Sequence, residues 1–384
     1  MSNKTPSKSS RKAPENRAGR VSSELPAKQY QLILLGVDTH AGQYTFVRKI
    51  DQLAAQPAQS LAPEAFMKFL EKQVSLAQRV VVLYEAGPYG FSLYRQVTGL
   101  AAECLVCAPE RLSRGRKRVN DKIDARELLS RLDRHLAGNT AALRLVRPPS
   151  LEGEMSRRRA RERNTFRKER QRWIGRGRSL LHTLGVARPG SWWKMDRYRE
   201  LQEILRQCHG PAVADQAREE LDNYLEMLHL VQTKLDQLTA GLRSAATARK
   251  QPRIRGIGPL SSELLDREIG DWNRFNNRRQ IASYTGLCPG EDSSGDSRMS
   301  LSIDKHGNPR VRAVLVECAW LLYRYQPDYK PLQRWKSVFE PNAKCGKALR
   351  KKAVVALGRR LAVDLWRIKT GRVKAEDLGL KLAA

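Results

Sequence analysis

The chain has 384 residues, room for two or three domains, and its 41% hydrophobic content supplies ordinary cores. Its 71 Lys and Arg against 40 Asp and Glu leave a formal net charge of +31, a field that seeks a polyanion because neutralising phosphates releases counterions. No apolar run approaches the ~18 residues of a membrane span, and the basic N-terminus lacks the apolar segment of a secretory signal.

Residues 1 to about 28 are rich in Lys, Arg, Ser and Pro, the composition of a disordered basic arm. An apolar strand, Leu32 to Asp38, then ends on an acid, and an alternating strand follows from Tyr44 to Ile50. With a short turn at Ala41 and Gly42 they predict an antiparallel hairpin. The pattern next predicts an amphipathic helix from Pro63 to Ala77 and a buried strand from Val80 to Ala86 carrying Glu85. A helix from Gly87 to Thr98 and a third strand, AECLVCA, complete an α/β unit. Residues 111–136 begin as a basic loop and become a helix opened by Asp121 and Asp124.

An Arg-rich helical stretch from Leu151 to Val186 follows. Leu221, Leu225, Leu228, Val231, Leu235, Leu238 and Leu242 then repeat at three- and four-residue steps. That spacing fits a coiled-coil seam, and equally a helical hairpin packed on its own domain. Gly256-Ile257-Gly258 before a helix resembles half of a helix-hairpin-helix, whose turn amides can meet phosphate. A cationic helix from Cys345 to Thr370 shows an apolar face through Ala353, Val354, Leu357, Leu361 and Leu365. The six scattered Cys fit reduced thiols, and Cys104-x-x-Cys107 lacks the second ligand pair of a zinc site.

Four acids carry the chemistry. Asp38 and Glu85 end strands, and Asp121 and Asp124, three apart, share a helix face. If they converge, repulsion calls for a divalent cation, and two oxygen-ligated Mg2+ ions about 4 Å apart are the usual solution for phosphodiester chemistry. Arg114, Arg116, Lys117, Arg118, Lys122 and Arg126 crowd the last two acids, as a scissile phosphate requires. Taken alone, Asp121 and Asp124 fit a helix cap equally well. His40 neighbours Asp38 and can reach the metal site, but a surface role fits it better. Trp192 and Trp193 fit core packing better than base stacking.

The ordered set GVDTH (Gly36 to His40), YEAGPYG (Tyr84 to Gly90) and NDKIDARELL (Asn120 to Leu129) resembles the RuvC-like nuclease domain of DEDD-type insertion-sequence transposases, the IS110 group, whose recombinases are guided by a bridge RNA. RIRGIGPLSSELLDREIGDWNRFNNRRQIASYTGLCPGEDSSG and SIDKHGNPRVRAVLVECAW are similar to the C-terminal transposase domain of that family, so the resemblance spans roughly residues 31 to 330. It implies a RuvC-like (RNase H-like) α/β domain over 31–145, a basic helical linker and coiled coil over 146–250, a mainly α transposase domain over 251–345, and a basic C-terminal helix over 346–384. It also implies a tetrad of Asp38, Glu85, Asp121 and Asp124 holding Mg2+. The serine before the glycine in EDSSGDS, Ser294, becomes the nucleophile, with Ser293 and Ser297 as neighbouring alternatives. Arg157, Arg158, Arg159, Arg298, Lys305 and Arg310, with the cations at 114–118, are the expected nucleic-acid contacts. The partners implied are donor and target double-stranded DNA, a guide RNA and further copies of the chain as a dimer or tetramer, in the bacterial cytoplasm at the nucleoid. Ala41 and Asp304 depart from the family pattern, which often has Lys and a hydroxyl there. Set against this reading stand a structure-selective nuclease using the acids alone and a non-catalytic nucleic-acid-binding protein.

Overall fold

The computed structural model describes residues 29–109, 120–249, 251–294, 297–340 and 343–383. The expected basic arm before residue 29 and the basic loop ahead of Asn120 lie outside them. Two compact units divide the chain, the first ending at Pro148 and the second beginning at Pro149.

In the first unit the chain runs β1 (Tyr30–Thr39), β2 (Tyr44–Ile50), β3 (Gln59–Leu61), α1 (Pro63–Leu76), β4 (Ala77–Glu85), α2 (Ser92–Gly99), β5 (Glu103–Cys107) and α3 (Asp121–Leu136). The strands form one mixed sheet, ordered β3-β2-β1-β4-β5. β1 and β2 are the predicted antiparallel hairpin, and β1, β4 and β5 run parallel. Alternation sorts the side chains into two layers. Ile33, Leu35, Val37, Val80, Val82 and Tyr84 pack with Phe66 and Leu70 of α1 and Leu93 and Val97 of α2. Leu34, Val47, Val81 and Leu83 face Ala125, Leu128, Leu129 and Leu132 of α3. This mixed α/β sheet covered on both faces is compatible with an RNase H-like fold.

Two elements differ from the sequence expectation. α2 starts at Ser92 rather than Gly87, because Gly87 precedes Pro88, a position that disfavours helix, and Gly90 takes φ +67°. β3 was not foreseen; three residues pair with Tyr44–Phe46 at the sheet edge. Cys104 and Cys107 fall on opposite sheet faces, the first packed in the α1–α2 layer and the second against α3, so they cannot grip one metal. Burial pushes the Cys104 thiol up to about 12.

The second unit holds α4 (Leu151–Thr183), α5 (Met195–His209), α6 (Pro211–Ala248), α7 (Pro259–Ile269), α8 (Arg278–Thr285), β6 (Pro289–Ser294), β7 (Ser297–Ile303), α9 (Pro309–Tyr325), α10 (Lys330–Gln333), α11 (Lys336–Phe339) and α12 (Lys347–Lys369). α4 and α6 pack as a helical hairpin, so part of the leucine seam, Leu221 and Leu228, is buried against Ile174 and Leu181 within the chain. Trp192 is a core residue. Its indole N–H donates to the Ile174 carbonyl at 2.9 Å, and its ring lies over Gly177, where a Cβ would come within 2.1 Å. The apolar face expected on α12 is buried with α8 and α9. Among the described residues no helix is long and apolar enough to cross a membrane.

The mainly helical second unit carries one unexpected element, the β6–β7 ribbon. Its base is fixed by two glycines packed backbone to backbone. A Cβ on Gly307 would meet the Gly286 nitrogen at 2.2 Å, and Gly286 takes φ +63°. The family-like TGLCPG and KHGN segments are therefore a structural brace.

Candidate carboxylate site and serine ribbon

The sheet register brings the first two acids together. β1 and β4 are parallel neighbours, and Val37 pairs with Tyr84. Asp38 and Glu85 stand one step further, at the carboxyl ends of adjacent strands, where open α/β sheets place their sites. Both belong to the face that α3 covers, by the alternation of Leu34, Gly36, Asp38 and of Val81, Leu83, Glu85.

Gly36 positions the other two. A Cβ there would lie 2.3 Å from the Leu129 nitrogen and 2.5 Å from the Ala125 carbonyl oxygen, so the α3 backbone rests directly on β1. The first turn of α3 then reaches the end of β1. Asn120 caps the helix, its Oδ1 accepting from the Lys122 N–H at 3.0 Å, and Asp121 and Asp124 occupy the first turn, where the helix dipole favours anions.

The outcome is a tight group and an adjoining cleft. Ligand atoms of Asp38, His40 and Asp121 lie within 4.8 Å of one another. His40 Nε2 stands 3.3 Å from Asp38 Oδ2 and 3.6 Å from Asp121 Oδ2. Asp38, Glu85 and Asp124 line a cleft of about 240 Å3 together with Thr39, Glu127 and Arg131. Glu85 and Asp124 stand beside the tight group and not within it. Burial raises the Asp38 carboxyl above its ordinary value; His40 opposes this, and the charges of Asp121 and Asp124 add to it. Like charges that oppose ionisation of a half-buried acid are what a bound cation relieves. His40 is exposed, as a surface role implies, and also stands within the tight group. The signal for that place was its position two residues past Asp38, just beyond the end of β1.

In the second unit the Ser294 backbone ends β6 opposite Ser297, and Ser293 pairs with Arg298. The connecting Gly295 and Asp296 lie outside the described residues, as do Arg114, Arg116, Lys117 and Arg118. Arg158, Arg159 and Lys305 are exposed. Arg157 is half-buried and donates from Nε to the Arg267 carbonyl at 3.2 Å. Arg310 Nε lies 3.8 Å from Glu268 Oε1. Asn308 caps α9 and also donates to Glu268, and Asp304 accepts from the His306 N–H at 3.2 Å.

Residues 252–333, from before α7 to the end of α10, match the family described as Transposase IS116/IS110/IS902. The Sinorhizobium fredii protein y4rJ, which carries a transposase name, is 33% identical over 324 residues, covering 78% of this chain and 80% of its own. The y4qE protein of the same organism, likewise named, is 33% identical over 274 residues, 69% of this chain and 64% of its own. The transposase for insertion sequence element IS1111A of Coxiella burnetii is 25% identical over 286 residues, 72% and 74%. A mixed α/β unit bearing clustered carboxylates, a basic helical unit and these likenesses define a DNA transposase, an enzyme of insertion sequences. The chain belongs to the IS116/IS110/IS902 transposase family.

Proposed function

We propose that the chain exchanges DNA strands by transesterification, with a RuvC-like carboxylate site in its first unit and Ser294 as nucleophile in its second. The observation that carries this reading is the gathering of Asp38, Asp121 and His40 within 4.8 Å, beside a cleft lined by Asp38, Glu85 and Asp124. The donor set fits Mg2+, which prefers carboxylate oxygens and retained water to soft ligands. When bound, Mg2+, as two ions, supplies charge neutralisation and polarisation of the phosphoryl oxygens. Asp38, Glu85, Asp121 and Asp124 hold it, and His40 orients Asp38.

Ser294 Oγ attacks phosphorus, the Oγ–P bond forms, the P–O3′ bond breaks, and the serine proton ends on the departing 3′ oxygen. A 3′-hydroxyl of another strand then displaces serine by the reverse step. Each step exchanges one phosphoester for another, so no ATP is consumed. The basic residues near 114–118, Arg157–Arg159, Arg298, Lys305 and Arg310 contact nucleic-acid phosphates. Target choice falls to base pairing with a guide RNA while the protein reads backbone and shape. Copies of the chain, as a dimer or tetramer, bring a carboxylate site and a serine together.

The test is a denaturing gel of protein with labelled donor DNA, guide RNA and Mg2+. The natural chain forms a covalent adduct that Ser294→Ala lacks, while DNA affinity stays within about twofold because no phosphate-binding charge is lost. An adduct that survives in Ser294→Ala and vanishes in Ser293→Ala or Ser297→Ala moves the nucleophile. Efficient cleavage with no adduct from the natural chain replaces transesterification by hydrolysis.

A further inference from the structure

The second unit contains a cleft of about 320 Å3 that neither the carboxylates nor the serine uses. One wall is α4, presenting Ala160, Arg163, Asn164, Arg167 and Lys168. The other comes from Leu264 and Glu268 of α7 and from Pro309, Arg310, Ala313, Val314 and Glu317 along one stripe of α9. The lining is therefore part apolar and part cationic.

The charge balance of the lining is one-sided. Glu268 is 3% exposed and already held by a fork of two bonds from Arg161, at 3.0 and 3.1 Å, and by Asn308 at 3.0 Å. Arg310, 3.8 Å from the same carboxylate, shares that charge, which leaves Glu317 facing Arg163, Arg167 and Lys168. Arg163 is half-buried, and its Nε is anchored to Thr239 Oγ1 at 2.8 Å, which fixes the guanidinium in place. Burial, with the charges of Arg167 and Arg243, pulls its pKa below the ordinary arginine value, and Glu317 only partly compensates. Arginine keeps its proton regardless, so the repulsion persists until an anion enters. Lys168 is exposed, with no side-chain ion pair or hydrogen bond among the described residues. The N-terminus of α9 is already capped by Asn308, so an anion here is held by side chains and helped only by the helix dipole.

We propose that this cleft grips the sugar–phosphate backbone of a nucleic-acid strand. Arg163, Arg167 and Lys168 take phosphates, and the sugars lie on Ala160, Leu264, Ala313 and Val314. Arg163 and Arg167, one helical turn apart, stand about 5–6 Å from each other at Cβ, so a strand running along α4 meets them in succession. The assignment rests on the reading that the chain handles nucleic acid, and is independent of the metal and the serine. Phosphodiester chemistry is common to DNA and RNA, so the source is for the experiment to separate.

The experiment measures fluorescence anisotropy of the full chain in EDTA, where no strand is cut, against duplex DNA and an RNA hairpin over a salt series. The variant is Arg163→Gln with Arg167→Gln and Lys168→Gln. The control removes three exposed cations off the cleft, by Arg188→Gln, Lys194→Gln and Arg199→Gln. Each phosphate contact contributes about 0.7–0.9 to the slope of log affinity against log salt. The cleft variant loses about 2 from that slope, and at least tenfold in affinity, for DNA, for RNA or for both. The affected polymer identifies the occupant. Lys168→Gln alone, at an exposed position that cannot unfold the chain, loses about 0.7–0.9. A cleft variant whose slopes match those of the natural chain, or of the control, overturns the proposal. A natural chain that binds neither polymer overturns the nucleic-acid reading beneath it.

Discussion

Gly36→Ala tests how the fold builds the carboxylate site. The new Cβ would sit 2.3 Å from the Leu129 nitrogen and 2.5 Å from the Ala125 oxygen, both backbone atoms of α3. Ordinary contact lies near 3.5 Å, so α3 withdraws from β1 by about 1 Å. Overpacking of this kind costs about 1–3 kcal/mol, which lowers Tm by about 5 °C in a unit of this size. On the proposed function the catalytic loss is larger, because α3 carries Asp121 and Asp124 with it. A displacement of about 1 Å at reacting groups costs about 100-fold in rate. Thermal unfolding and the initial rate of Mg2+-dependent DNA cleavage measure the two effects. Gly42→Ala is the control, since a Cβ at the hairpin turn meets nothing within 4 Å. Natural Tm and natural rate in Gly36→Ala would show that α3 does not depend on contact with β1, and the derivation of the site would fail.

Two further outcomes follow from named contacts. His40→Ala raises the Mg2+ concentration needed for half-maximal cleavage by about tenfold, as expected when a group orienting a metal ligand is lost; an unchanged Mg2+ dependence would make His40 a surface bystander. Glu268→Gln destabilises the second unit by about 3 kcal/mol at pH 7, the lower end for breaking a buried pair, because Arg161 is 42% exposed and rehydrates. Burial alone would raise the Glu268 carboxyl, but hydrogen bonds from Arg161 and Asn308 and the charges of Arg161 and Arg310 hold it below its ordinary value. Its contribution is therefore complete above about pH 4.3 and fades as pH falls through the depressed value. The gap in Tm between natural chain and variant narrows in acid, and an equal gap at pH 7 and pH 3 would contradict the ion-pair account.

The elements legible in the sequence were those whose burial is dictated by their own residues. β1, β4 and β5 are apolar runs and α3 has an Asn cap, so their ends, and with them Asp38, Glu85, Asp121 and Asp124, were readable. β3 and β6 were not, because QSL and PGEDSS carry no apolar alternation, while β7 alternates through Met299, Leu301 and Ile303 but has only the polar β6 as its partner. Their strands exist through backbone pairing with a partner, and in the ribbon through the close approach of Gly286 and Gly307. The Arg-rich α4 concealed a second role. Arg157, Arg161, Arg163 and Arg170 bond to α6 and α7 residues, so part of the cationic run is mortar between helices. Charge alone does not reveal which arginines face protein. The nearness of His40 to Asp121 was hidden for a similar reason, since only the packing of α3 on Gly36 brings the two together.

The proposed function requires that four carboxylates of the first unit form one divalent-metal site. Electron paramagnetic resonance of Mn2+, a stand-in for Mg2+, counts bound ions directly and without reference to activity. The full chain with its donor DNA is titrated beside the variant carrying Asp38→Asn, Glu85→Gln, Asp121→Asn and Asp124→Asn. The natural chain is expected to bind one or two Mn2+ ions tightly and the variant to lose them. Equal Mn2+ binding by the two proteins would contradict it.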